Sequence, residues 1–477
     1  MVFSSHIFIF YFLPAALLGY YATPARYRHA VLTLFSYFFY GWSNPLFILV
    51  MAGSTIIDYV CGRIIESHTS DSPSETSRNR IRKRALTVSL ISNLSLLGFF
   101  KYFNFGLDSV RWALAAAEIP SPFLDMAFRV TLPLGISFYT FQSMSYTIDV
   151  YREKVRAIHN FVDFACYVSM FPQLVAGPII RFADIAEQLA TRTHTREKFS
   201  RGVACFCLGL SKKVLIANPC GQVADWTFGA QSLHALDAWY GALAYSFQIY
   251  FDFSGYSDMA IGLGLMLGFV FPKNFDSPYR SASITEFWRR WHISLSTWLR
   301  DYLYISLGGN RKSSIRTYAN LLIVMLLGGL WHGAAWHFVI WGGVHGLLLC
   351  AERAMGKQPL YSALPRPVKI ASTFVLVVLT WVLFRADDMI HAVQYFQAMF
   401  GILMPSESAA LLKGIVYQPY FAGTIAIAAM ITGTSPQADE FTRRMSWKKM
   451  VWCALMFWIS IAVLTTQAYN PFIYFIF

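Results

Sequence analysis

Three histidines fall in the most apolar part of this sequence. His332 and His337 lie in "LLGGLWHGAAWHF", Leu326 to Phe338, and His345 lies in "VIWGGVHGLLLC" immediately after. An ionisable side chain in hydrocarbon-like surroundings is expensive and by default marks function. Metal binding fits the pattern poorly. His332 and His337 are five positions apart, about 140° round a helix at 100° per residue, which misses the i,i+4 face that paired helical ligands use. Proton transfer fits better. Burial keeps an imidazole neutral, and a neutral imidazole can take a proton from a hydroxyl, as a general base for acyl transfer requires. A hydrogen-bonded structural histidine is the competing reading for His332. Gly328, Gly329, Gly333, Ala334 and Ala335 leave room around it for a substrate or for close helix packing.

Three carboxylates join the candidates. Asp252 and Asp258, in "YFDFSGYSDMAIGLG", flank an expected break at Ser254-Gly255. They could line a polar cavity, form a proton relay, or pair with a basic residue from Phe271–Arg316. Asp149 ends an apolar run directly before "VYREK" and reads as interfacial. The chain has no G-x-S-x-G elbow, P-loop or G-x-G-x-x-G fingerprint, so an autonomous serine hydrolase or nucleotide site has no local support.

The elements that must position these residues are transmembrane helices. Of 477 residues, 56% are hydrophobic and 14% charged, and the mean hydropathy is +0.44. Soluble domains carry about 25% charged residues, so the chain reads as an all-α polytopic membrane protein. The net charge of +13 sits in short loops between apolar runs. It is read as the positive-inside rule, not as a nucleic-acid surface. Seven cysteines lie mostly within apolar runs without a C-x-x-C pair, so neither a disulfide framework nor a metal site is expected.

A span needs about 20 mostly apolar residues. Candidates are 6–22, 30–50, 86–103, 128–150, 161–180, 202–220, 236–252, 256–271, 318–331, 335–351, 368–385, 420–434 and 449–467, roughly ten to thirteen helices with short or re-entrant pieces among them. Lys212 and Lys213 interrupt the run 202–220. The N-terminus lacks the basic region of a cleavable signal peptide, and Arg26 and Arg28 follow its first apolar run. It is expected to be a retained span starting outside and ending in the cytoplasm. Two polar segments stand out. Arg63–Arg84 reads as a solvated cytoplasmic loop with a basic end. Phe271–Arg316 carries eight Lys/Arg and predicts an amphipathic helix with Ile293, Leu295, Trp298, Leu299, Tyr302 and Leu303 on one face, capped by Ser283 or Thr285, with Glu286 in its first turn.

"FWRRWHISLSTWLRDYLYISLGGNR" (Phe287–Arg311), followed by "GGLWHGAAWHFVIWGGVHG" (Gly328–Gly346), resembles the membrane-bound O-acyltransferase (MBOAT) family, and its bacterial alginate O-acetyltransferase-like branch in particular. The opening "MVFSS", "LPLGISFYTFQSMSYTIDVYR" (Leu132–Arg152) and "FPQLVAGPIIR" (Phe171–Arg181) agree. The resemblance implies one membrane-embedded domain over 1–477, an MBOAT-type funnel with re-entrant or amphipathic central segments. Its motif-bearing core lies at approximately 90–350 and its C-terminal helices at approximately 368–477. It also implies transfer of an acyl group onto a hydroxyl. The family's near-invariant histidine falls on His332, and a second histidine of the bacterial branch falls on His292, in "RRWHISLS". In that reading His332 takes the proton of an incoming hydroxyl as it attacks a thioester carbonyl. His292 orients the donor or assists at the developing oxyanion. Arg289, Arg290 and Arg300 meet the phosphates of acetyl-CoA or a carrier prosthetic group, or merely form a basic face that sets topology.

The resemblance therefore implies a multi-pass protein of the bacterial inner membrane that passes an acetyl group from a cytoplasmic thioester toward an exopolysaccharide. Alginate comes first, with cellulose O-acetylation or D-alanyl transfer to teichoic acid as alternatives. No permanently bound cofactor is expected; acetyl-CoA or another acetyl thioester is the expected donor substrate. The expected partners are membrane lipid, a periplasmic acetyl-accepting protein and a polysaccharide biosynthesis complex. A different class, an ion-coupled transporter, would use Asp252, Asp258 and the histidines as a relay, although no inverted internal repeat supports it.

Overall fold

The computed structural model describes residues 1–68, 75–120, 124, 128–356, 358–359, 361–406 and 409–473. Helices and short turns account for the regular structure, with no strand among the described residues. Backbone contacts divide the chain into two units, one comprising Met1 and His6–Thr193, the other Val2–Ser5 and His194–Phe477.

The first unit contains α1 (Leu46–Ser67), α2 (Ser77–Ala116) and α3 (Ile136–Tyr151). A buried polar cluster joins these three helices. Asp58 of α1 accepts from Ser89 Oγ at 2.6 Å and from Asn93 Nδ2 at 2.9 Å, both on α2. Ser89 Oγ in turn lies 2.9 Å from Thr147 Oγ1 of α3. In hydrocarbon such groups have no water to turn to, so each must find a protein partner. Asp149 is buried and approaches Lys154 Nζ at 3.8 Å. The segment read as a loop over Arg63–Arg84 is helical up to Ser67 and again from Glu75; residues 69–74 lie outside the described residues. Its Lys- and Arg-rich end is the first part of a long helix, because those side chains are good helix formers and extend into the polar region. The run 161–180 is no continuous span. It folds as Phe161–Ser169 and the single turn Phe171–Leu174 with a break at Met170, and Pro172 in the turn limits its extension.

The second unit contains α4 (Arg196–Phe228), α5 (Ala235–Met266), α6 (Ile284–Arg290), α7 (Ile293–Trp298), α8 (Ser314–His332), α9 (Trp336–Ala354), α10 (Arg366–Arg385) and α11 (Trp447–Thr466). Among the described helices, α1, α2, α4, α8, α10 and α11 are long and apolar enough to cross a membrane, while Ile7–Ala22 and Pro419–Thr434 are shorter apolar helices. The chain is a multi-pass membrane protein.

The expected break at Ser254-Gly255 is absent. Residues 236–252 and 256–271, read as two spans, belong largely to the single 32-residue helix α5. Gly255 serves close approach instead. A Cβ built on it would meet Gly209 O of α4 at 2.7 Å, and one on Gly202 would meet Gly262 O at 2.6 Å. Small residues let two membrane helices pack backbone to backbone. The same pair of helices holds two ion pairs, Lys213–Asp252 at 2.8 Å and Lys212–Asp258 at 2.7 Å. The partners of both carboxylates thus come from α4, not from Phe271–Arg316.

Candidate active site

His332 is the last residue of α8, 9% exposed. Its position depends on how α8 meets α9. A Cβ on Gly329 would lie 2.2 Å from Phe338 O, one on Gly342 would lie 2.2 Å from Met325 O, and one on Gly333 would lie 2.0 Å from the Phe338 ring. Of the two uses left open for these glycines, close helix packing is the one seen. The imidazole is walled by Trp341 and Phe384, with ring centroids 5.3 and 5.4 Å away in edge-on contact.

The segment bearing His292 is built differently from expectation. Ser283 does cap α6, its Oγ accepting from Glu286 N at 3.0 Å, and Glu286 Oε2 accepts from Ala282 N at 2.8 Å. The one amphipathic helix foreseen is broken, however. α6 ends at Arg290, His292 adopts the left-handed backbone conformation at φ +43°, and α7 starts at Ile293. That conformation costs a residue with a Cβ roughly 1–2 kcal/mol. It is held by backbone bonds on either side, Asp276 N to Arg290 O and Ile293 N to Asn274 O, each 2.9 Å.

The left-handed residue directs a fully buried imidazole into the interior. Its ring centroid lies 4.6 Å from Phe253 and 6.5 Å from His332. The structure therefore brings together the two histidines named from the motifs. Asn274, which the sequence did not single out, fixes the first of them. Its Oδ1 lies 3.2 Å from His292 Nδ1 and also accepts from Ser294 Oγ at 2.8 Å and Ser294 N at 3.3 Å, while its Nδ2 donates to Ser257 Oγ at 3.0 Å. The backbone N–H identifies the accepting atom as oxygen. In this arrangement His292 Nδ1 is the donor to Asn274, the tautomer in which Nε2 is the accepting nitrogen.

His345 has a structural arrangement. Trp288 Nε1 donates to its Nδ1 at 3.2 Å, and its Nε2 lies 3.0 Å from Thr380 Oγ1, so it ties α6 to α9 and α10. His337 is buried against Phe338 at the start of α9, with ring centroids 4.2 Å apart. A second anchor missed by sequence reasoning is Glu352 of α9, 4% exposed. Its carboxylate accepts from Ile284 N at 2.7 Å, Thr285 N at 2.9 Å and Thr285 Oγ1 at 2.6 Å, placing negative charge at the N-terminus of α6. Only a polar residue near the end of an apolar run hinted at it.

The three arginines are not one cluster. Arg289 and Arg290 line a cavity of about 610 Å³ with Asp276, Ser283, Thr285 and Glu286. Arg290 donates to Glu286 Oε1 and to Asp276 O, each at 3.0 Å. Arg300 is exposed on the π-helical segment Leu299–Tyr304 that continues α7 and pairs with Asp301 at 2.7 Å. Among the described residues, no group of three or more His, Cys, Asp or Glu side chains is placed to hold a metal ion.

Two buried imidazoles with ring centroids 6.5 Å apart, set in an aromatic shell, are an arrangement chemically able to pass a proton away from water. The family model of the membrane-bound O-acyltransferases matches residues 4–385, and the chain belongs to that family and is an O-acyltransferase. Relatives match over most of the chain. It is 51% identical over 407 residues to the probable alginate O-acetylase AlgI of Pseudomonas aeruginosa, covering 84% of this chain and 75% of that one. It is 46% identical to the protein of the same name from Pseudomonas putida, covering both in full. It is 37% identical to the peptidoglycan O-acetyltransferase of Helicobacter pylori, over 84% of this chain and 80% of that one.

Proposed function

We propose that the protein O-acetylates an exopolysaccharide, alginate in first place, drawing on an acetyl thioester at the cytoplasmic side of the bacterial inner membrane. The observation that carries the catalytic part is the facing pair His292 and His332, 6.5 Å between ring centroids in a buried aromatic pocket. His332 accepts the proton of the acceptor hydroxyl as that oxygen attacks the thioester carbonyl. The tetrahedral intermediate collapses with cleavage of the C–S bond, and the imidazolium returns the proton to the departing thiolate. The Asn274 contact favours an orienting role for His292. With Nδ1–H committed to Asn274, Nε2 is an acceptor, suited to aligning a hydroxyl or amide of a reactant and unsuited to donating to an oxyanion. The alginate assignment is supported by the names of the Pseudomonas relatives. Acetyl delivery to the outside calls for an acetyl-accepting protein there, working with the polysaccharide assembly machinery.

The test is complementation of a strain lacking the gene with wild type or His332→Ala, followed by acetyl analysis of the secreted polymer. Loss of acetyl from alginate, with the variant present in the membrane at the normal level, is the expected result. Normal acetylation in the variant would remove His332 from the chemistry. Loss of acetyl from cellulose or peptidoglycan alone would reassign the polymer.

A further inference from the structure

Moving a proton is one half of acyl transfer. The other half is the negative charge that builds on the carbonyl oxygen as the acceptor attacks, and fixed donors aimed at that charge usually supply the largest single contribution to rate. His292 does not provide such a donor while its Nδ1–H is held by Asn274. A different donor lies in the same pocket. Trp341, in the second turn of α9, is 1% exposed. Its ring stands edge-on to His332, with centroids 5.3 Å apart and planes inclined by 88°. Its indole Nε1–H is buried and meets no acceptor among the described residues.

A buried tryptophan ordinarily finds a partner for its N–H, and a buried polar group left without one calls for an explanation. Two neighbouring indoles obey the rule. Trp381, stacked on Trp341 at 5.8 Å, donates to Tyr279 Oη at 3.1 Å. Trp288, 5.7 Å from Trp341 on another side, donates to His345 Nδ1 at 3.2 Å. Trp341 therefore keeps an unused donor between two that are committed. The ring is also well enclosed. Gly342, the next residue, packs too closely on Met325 O of α8 to admit a Cβ, and Phe384 closes a further side at 4.9 Å. The direction of the N–H is thus set before any reactant arrives, which is the condition for effective stabilisation of a developing charge.

We propose that the Trp341 indole N–H donates to the carbonyl oxygen of the acyl group and holds it as the oxyanion forms. The assignment rests on the acyl-transfer reading above. As the acceptor oxygen bonds to the carbonyl carbon, the C=O electron pair moves onto the carbonyl oxygen. Nε1–H strengthens its hydrogen bond to that oxygen and keeps its proton, because an indole is a donor only. When the pair returns, the C–S bond breaks and the thiolate takes its proton from the His332 imidazolium. His332 moves the proton, His292 aligns a reactant, and Trp341 holds the charge.

Trp341→Phe keeps an aromatic ring and removes the N–H. Trp381→Phe is the matched control, since it removes a paired indole N–H from the same stack. Acetyl transfer from acetyl-CoA and Tm are measured for each in purified protein in nanodiscs. Trp341→Phe is expected to lower kcat about a hundredfold, the effect of losing one oxyanion donor, with KM changed by no more than about twofold. Trp381→Phe should lower Tm and leave kcat per folded molecule within about threefold of wild type. A kcat for Trp341→Phe within about threefold of wild type, or a loss matched by Trp381→Phe, overturns the proposal. Infrared spectra of acetyl-CoA labelled with carbon-13 at the carbonyl supply a second arm that needs no turnover. Bound to His332→Ala, the carbonyl band should lie at lower wavenumber than when bound to His332→Ala with Trp341→Phe. The same band position in both overturns the proposal whatever the rates. A Trp341-dependent shift without acetyl transfer by the wild type supports the indole donor and counts against the transfer reading instead.

Discussion

His292 and His332 are separated by 40 positions in the sequence, yet their rings stand 6.5 Å apart centre to centre and inclined by 63°. One is a left-handed joint between two short helices, the other the end of a long one. Neither local pattern contains the other, so the pairing belongs to the tertiary structure.

If the two imidazoles act as a unit, their removal is not additive. His332→Ala is expected to lower kcat about a hundred- to ten-thousandfold, the usual contribution of a positioned base. Adding His292→Ala to it should cost much less than His292→Ala costs in the wild type. Single-turnover acetyl transfer with purified protein measures all three. Strictly multiplicative losses would show that the rings act independently.

Asn274 should reveal itself through its oxygen. Asn274→Ala removes the acceptor that holds Nδ1–H of His292, along with the two bonds from Ser294, and is expected to reduce kcat roughly ten- to hundredfold. Asn274→Asp keeps an accepting oxygen and should recover part of the rate. A rate loss in Asn274→Ala that merely follows a loss of folded protein, with no recovery in Asn274→Asp, would make the residue a packing element only.

Glu352 predicts a stability effect. Its carboxylate satisfies two backbone donors and one hydroxyl at the start of α6. Glu352→Gln keeps the size, loses the charge and turns one acceptor into a donor. About 1.5–3 kcal/mol is at stake for each hydrogen bond to a charged group. Thermal unfolding in detergent should show a clear fall in Tm, and Glu352→Asp a smaller one.

The lysine–aspartate pairs of α4 and α5 can be tested for a structural against a functional role. Lys213→Met leaves Asp252 buried without its cation, an imbalance that costs about 3–5 kcal/mol, whereas Lys213→Met with Asp252→Leu should recover much of that. Acetyl transfer returning with the double variant would identify the pair as structural. Recovery of folding without any return of transfer would point to a direct part for these charges in activity.

The fold class was legible because composition and hydropathy report the solvent directly; His332 drew notice as a histidine amid glycine and tryptophan, but its role came from the family resemblance and not from its surroundings. Other features were not legible, for physical reasons. Gly255 next to Ser254 has the composition of a helix break, and only the presence of Gly209 opposite it makes the same residue a contact point. The apolar face from Ile293 to Leu303 has helical spacing, but spacing carries no sign of the left-handed turn at His292, which depends on Asn274 and Asp276 nearby in space. Asp252 and Asp258 were expected to find a basic partner downstream in Phe271–Arg316, while the lysines that seemed to spoil the run 202–220 were the partners. Each of these is decided by a neighbour distant in sequence.

The glycine contacts between α8 and α9 have a consequence for redesign. With Gly329 and Gly342 already touching opposing backbone, that side of His332 has no slack to yield to a bulkier guest. An engineer seeking to load propionyl or butyryl in place of acetyl must make space elsewhere. On the proposed chemistry, the natural places to trim are Phe384, beside His332, and Phe253, edge-on to His292, both outside the motif that names the family.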